Sequence, residues 1–84
     1  MKVSKKEFIA LRKAISLLAY YDSDRAAYRN GRGFNKRDSK TGHRLANKDK
    51  WNSFDVVKAL KLARRYYKQL PPEIKENLPK HLAY

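Results

Sequence analysis

Apolar positions recur with a helical period at both ends of this chain. Phe8, Leu11, Ile15 and Leu18 follow one another at spacings of three and four, with Ile9 and Ala19 widening the stripe; that period marks one buried face of a helix. Ser4 and Glu7 form the S-x-x-E capping box just before it. A helix is predicted from about Lys5 to about Tyr21. The second periodic run is Val56, Leu60, Ala63, Tyr67 and Leu70. Asn52 with Asp55 supplies a cap, Trp51 a hydrophobic staple onto Val56, and Pro71-Pro72 a stop. That predicts a helix over about 53–70, followed by a short turn from Glu73 to about Leu78 and a loose tail from about 79 to 84.

The region between is less regular. Asp22-Ser23-Asp24 breaks or re-caps the chain, and a short helix through Arg25–Tyr28 can follow. Asn35 with Asp38 can start another turn, which Gly42 is expected to interrupt, and residues 43–47 form a turn or two more. No stretch alternates with period two, so the expected fold is all-α. It is one small domain over residues 1–84, with two main helices and short helices or turns between and after them.

Composition adds a strong electrostatic bias. The 84 residues carry 21 Lys and Arg against 8 Asp and Glu, a formal net charge of +13. Such an excess repels itself within a compact chain, and a polyanion is the simplest partner to offset it. The chain has no cysteine, which removes disulfides and thiolate metal sites. No apolar run reaches the roughly 20 residues that span a bilayer. Met1-Lys2-Val3-Ser4 leads into a charged amphipathic stretch and not an apolar signal, so no membrane association and a cytoplasmic location are expected.

Two basic constellations stand out. Lys58, Lys61, Arg65 and Lys68, with Arg64 beside them, are spaced to share a face of the last helix. Like charges at these spacings repel by a few tenths of a kcal/mol per pair, which makes a binding role more attractive than a merely solvated face. The second is residues 25–50, where Arg25, Arg29, Arg32, Lys36, Arg37, Lys40, Arg44, Lys48 and Lys50 face only Asp38 and Asp49. There the amides of Gly31, Gly33 and Gly42 can approach phosphates while arginines clamp them. Phe34 reads better as a core plug than as a base-stacking group, and Trp51 better as a staple. In all, residues 25–68 hold 14 of the 21 basic groups and three acids.

Other chemistry finds little footing. Gly31-x-Gly33 lacks the third glycine and preceding strand of a dinucleotide fingerprint, and it is no P-loop. His43 and His81 are far apart in sequence and have no cysteine partners for zinc. Asp38, Asp49 and Asp55 form no catalytic motif and have ready capping or pairing roles. No cofactor, metal or enzymatic activity is expected.

The central residues carry a resemblance. Gly31-Arg32-Gly33-Phe34-Asn35-Lys36-Arg37-Asp38, then Gly42-His43-Arg44-Leu45-Ala46, resembles a G-x-G-F-N-x-x-D-x-x-x-G-x-x-L-A module followed by a helix ending in K/R-Y-x-x-Q-L. That ending is Arg65-Tyr66-Tyr67-Lys68-Gln69-Leu70 in this chain. The module is similar to accessory segments beside the motor domain in helicase-like and replication proteins of phages and other mobile elements. It covers roughly residues 26–70. The resemblance implies a free-standing accessory module that handles nucleic acid in a host cell, with no motor of its own, and it identifies no contacting residue.

Three functions are therefore expected to compete. The first is a nucleic-acid-binding module, for DNA or RNA, that grips phosphate with little sequence specificity. Its contacts would come from Arg25, Arg29, Arg32, Lys36, Arg37, Lys40, Arg44, Lys48, Lys58, Lys61, Arg64, Arg65 and Lys68. The second is a small phage-encoded anti-defence protein, of the anti-CRISPR kind, that inhibits a host nuclease by binding it; the positive charge opposes direct mimicry of nucleic acid. The third is a structural part of a larger ribonucleoprotein or replication assembly. Besides nucleic acid, the partner expected is a protein such as a helicase or nuclease.

Overall fold

A computed structural model describes residues 3–22 and 33–79. Among the described residues there are four helices: α1 (Lys5–Tyr21), α2 (Lys36–Asn47), α3 (Ser53–Arg65) and the single turn α4 (Pro72–Lys75). A 3-10 turn over Tyr67–Gln69 joins the last two. There is no strand among the described residues. The short helix expected over residues 25–28 and the tail beyond Pro79 lie outside the described residues, as do Arg25, Arg29, Gly31 and Arg32.

α1 packs against all three other helices, and α2 packs against α3. Its inner face is Ala10, Leu11, Ala14, Ile15 and Leu18, all buried. The small alanines let neighbouring backbones approach, and Leu11, Ile15 and Leu18 fill the space. Ile9, expected to widen this stripe, is instead 45% exposed. Both caps are formed as expected. Ser4 Oγ accepts from Glu7 N while Glu7 Oε1 accepts from Ser4 N. Asn52 and Asp55 exchange the same pair of bonds at the start of α3.

The middle of the chain corrects the sequence reading. Residues 36–47 form one continuous helix, and Gly42 lies buried within it. The reason is tertiary. A Cβ on Gly42 would overlap three carbons of the Phe34 ring, so the helix gives up a side chain to let Phe34 into the core.

The last long helix is shorter than expected. α3 ends at Arg65, Tyr66 takes a non-helical conformation, and the chain tightens into the 3-10 turn. The residue before a proline is pushed out of the helical region, and Leu70 before Pro71 is extended. The tighter turn brings Leu70 into the core together with Tyr66. Tyr66, not the expected Tyr67, is the buried tyrosine, and Tyr67 is only half-buried. Lys68 therefore stands on the 3-10 turn, off the helical stripe expected to hold it.

Candidate nucleic-acid interface

Two layers make up this region: a network of polar residues, centred on buried Asp38 and Tyr66, that fixes α2 against α3, and an outer one of cations. The inner layer begins at Asn35, which caps α2 by accepting from Asp38 N at 3.0 Å. In an ordinary capping box the acid three residues on would bond directly to the cap's own N–H. Here the Tyr66 phenol is interposed. Asn35 N donates to Tyr66 Oη at 3.0 Å, and Tyr66 Oη donates to Asp38 Oδ2 at 2.6 Å. Arg65 Nη1 donates to the same oxygen at 2.6 Å. Gln69 completes the frame: its Oε1 accepts from Gly33 N and its Nε2 donates to Gly33 O. Gly33 is held at φ +75, with Asp22 N and Leu18 O 2.7 and 2.8 Å from where a Cβ would sit. A positive φ with no lateral room is a position for glycine.

A second cluster centres on Asp22, the C-cap of α1. Its buried Oδ2 accepts from Ser39 Oγ at 2.6 Å. His43 Nε2 lies 2.8 Å from Asp22 O and 3.1 Å from Oδ2. Both are acceptors, so Nε2 carries the proton. Serine, histidine and aspartate meet here without forming a catalytic triad. That chemistry places the histidine between the other two, whereas Ser39 and His43 both donate to the carboxylate and Ser39 is buried. The grouping ties α2 to the end of α1.

Asp55 plays a similar part at the other end of α2. Lys48 Nζ donates to its Oδ2 at 2.7 Å, and Arg44 Nη1 is 3.9 Å from Oδ1. Arg12 donates to Lys48 O at 2.8 Å and lies over the Trp51 ring, 4.6 Å from its centre. Trp51 itself donates to Leu45 O and meets Phe8 edge-on, and it packs against the core, which makes it a structural residue.

These contacts move the carboxylates and their partners. Burial by itself would raise Asp38, but the hydrogen bonds from Arg65 and Tyr66, helped by the charges of Arg65 and Arg37, outweigh it and hold it below the usual aspartate range. Asp55 is also held low, first by the Lys48 hydrogen bond and then by Asn52 N, against an opposing effect of burial. Tyr66 is raised, chiefly by burial and next by its bond to Asp38. A carboxylate lowered in the folded state stabilises the fold above its unfolded value near 4, and that contribution disappears as pH falls through the folded value. The raised tyrosine contributes below about pH 10, and its contribution disappears as pH rises through its folded value. The thermal midpoint should therefore be flat across neutral pH and fall below about pH 4. The fall should be shallower in an Asp38→Asn/Asp55→Asn double variant, and an identical acid limb in the two proteins would refute this account.

The outer layer is what remains exposed. On α2 the exposed positions are Lys36, Arg37, Lys40, Arg44 and Asn47, which project from one side of a helix whose other side holds Asp38, Ser39, Gly42 and Leu45. Lys36, Lys40 and Arg44 stand one above another at i, i+4, i+8. On α3, Lys58, Lys61, Arg64 and Arg65 are exposed, as is Lys68 beyond it. Lys36, Lys40, Lys58, Lys61 and Lys68 form no ion pair with a described residue. Lys48 and Arg65 are committed to Asp55 and Asp38, and Arg37 sits 3.9 Å from Asp38.

The glycine reading needs correction. The Gly33 amide is taken by Gln69, and Gly42 is buried in the middle of α2, where its amide belongs to the helical ladder, so neither offers an N–H to a phosphate. Phe34 is buried, as expected of a core plug. The α2 stripe escapes the sequence reading because its helix does, although the spacing of Lys36, Lys40 and Arg44 is there to read. Phe54 escapes it too. It is 78% exposed on the cationic side of α3, and its place four residues before Lys58, off the apolar positions, is the available signal. Among the described residues no group of three or more His, Cys, Asp or Glu can hold a metal ion, and no helix is long and apolar enough to cross a membrane. No protein-family model, curated protein or solved structure matches the chain.

Proposed function

We propose that this chain is a nucleic-acid-binding accessory module that holds the phosphate backbone with low sequence specificity. One observation carries the reading: the acids of the basic region are turned inward and the cations outward. Asp38 and Asp55 are buried and partnered, so over residues 33–70 Asp49 is the one exposed acid, against Lys36, Arg37, Lys40, Lys58, Lys61, Arg64 and Lys68 among the exposed cations. Cations therefore dominate the exposed charge of α2 and α3. Lysines on two packed helices, without anionic partners, suit a polyanion whose charges repeat along its length.

The resemblance to accessory segments of mobile-element replication proteins agrees with this role and suggests such a protein as working companion. The residues that carry it are mostly internal: Gly33, Phe34, Asn35, Asp38, Gly42 and Leu45 pack or bond inward. In this chain the pattern thus speaks for the fold, and the outward lysines speak for the binding.

The test is a salt series, roughly 50 to 200 mM, of mobility shifts on single-stranded DNA, duplex DNA and RNA. Binding should weaken linearly on a log–log plot. Replacing Lys36 and Lys40 by alanine should reduce the duplex slope by about 0.9 for each phosphate no longer neutralised. No binding to any of the three at low salt would overturn the proposal.

A further inference from the structure

Phe54 is the most exposed large apolar side chain among the described residues, at 78%. A lone exposed apolar residue is ordinary on a protein surface. The surroundings of this one are not. It lies on the second residue of α3, and the helical repeat places Lys58, Lys61 and Arg65 on the same side, at i+4, i+7 and i+11. All three are exposed, and the only acid of α3, Asp55, is buried. Phe54 makes no ring contact with a described residue, and no described cation lies over its face. The other described phenylalanines behave differently: Phe34 is buried against Tyr66, and Phe8 meets Trp51.

A bare aromatic face flanked by cations has the two elements that recognise single-stranded nucleic acid: a π surface for an unpaired base and positive charges for the phosphates that follow it. A duplex offers the same phosphates but keeps its bases stacked on each other. A protein partner with an apolar pocket would match the ring but leave Lys58 and Lys61, which have no ion pair with a described residue, without purpose. Charge complementarity thus selects the polyanion, and the ring selects the single strand.

We propose that Phe54 is a stacking platform for an unpaired base of a single-stranded nucleic acid whose phosphates run along Lys58 and Lys61. This rests on the nucleic-acid reading above and sharpens it by naming the strand state.

The experiment is fluorescence anisotropy of the whole chain with a labelled oligothymidine and with a duplex of equal length. Phe54→Ala should weaken oligothymidine binding by at least about fivefold, the low end for removal of one stacked base. Duplex affinity and the salt slope should be unchanged, because every phosphate-facing cation is still in place. Phe54→Trp should restore binding. Lys61→Ala should lower the single-strand salt slope by about 0.7. Because Phe54 is exposed, its variants should keep the wild-type circular dichroism spectrum and midpoint. If Phe54→Ala binds oligothymidine within about twofold of wild type, or weakens single-strand and duplex binding equally, the stacking role fails while the nucleic-acid reading stands. If the wild-type chain binds neither probe at low salt, the broader reading fails and the stacking role with it.

Discussion

Replacing Asp38 by alanine is expected to destabilise the protein by about 2–4 kcal/mol, among the largest effects of any single polar substitution in it. The carboxylate is the shared acceptor for Tyr66 Oη and Arg65 Nη1, both at 2.6 Å. It also sits in the first turn of α2, where a negative charge favours the helix. The two partners do not suffer equally. Tyr66 is buried, so its hydroxyl is left without an acceptor and bears the desolvation cost of an unmade bond. The Arg65 side chain is 43% exposed, so water can take the place of the carboxylate and its share is small. Chains of this length have total stabilities of about 4–13 kcal/mol. The effect should therefore appear as a fall in thermal midpoint of about 10 °C or more.

The ranking among variants makes that expectation specific. Asp38→Ala should cost most. Tyr66→Phe should cost less, because Asn35 is exposed and its freed N–H can reach water. Arg65→Met should cost least. The Asp38→Ala/Tyr66→Phe double variant should cost less than the sum of its parts, since the same bond is removed twice. Additive costs, or a midpoint for Asp38→Ala within about 2 °C of wild type, would show that the Asn35–Tyr66–Asp38 relay does not hold α2 to α3.

Local chemistry is legible in the sequence, and tertiary reasons are not. α1 begins and ends where its capping box and apolar period place it, because both are written within a few residues of each other. The start of α3 is equally local, in Asn52 and Asp55. α2 is unreadable as one helix for two reasons. Its inner face is Asp38, Ser39, Gly42 and Leu45, with a single large apolar residue, so it lacks the hydrophobic period that announces a buried face. Its glycine reads as a breaker until Phe34, eight positions earlier, is seen to occupy the missing side chain's place. The end of α3 is misplaced for a related reason: the apolar period runs on to Leu70, and the need to turn both Tyr66 and Gln69 toward the Gly33–Asp38 segment is invisible in a one-dimensional pattern. For the interface the balance is similar. Counting finds the cations, but which acids withdraw them or leave them free depends on burial. Asp22 reads as a break or a new helix cap, although it receives both Ser39 and His43.

Exchanging Gly42 for alanine should change stability with the sign opposite to that of an ordinary helical glycine. Glycine inside a helix is normally a weakness, and exchanging it for alanine should stabilise by about 1 kcal/mol. Here Gly42→Ala should instead destabilise by about 1–3 kcal/mol. The new methyl would overlap Cε2, Cζ and Cδ2 of Phe34, and that ring has little room to retreat, being buried edge-on against Tyr66 and His43. Phe34→Leu alone should also destabilise, by leaving space beside the glycine. Combined, the two changes should partly compensate, because the methyl enters volume that the ring has left. The double variant should be more stable than the sum of the single effects allows, with a coupling of about 0.5–3 kcal/mol. Denaturant midpoints of the four proteins measure all three quantities. A stabilising Gly42→Ala would mean that Phe34 does not lie against α2, and the facing of Lys36, Lys40 and Arg44 to solvent, which follows from that contact, would need a different explanation.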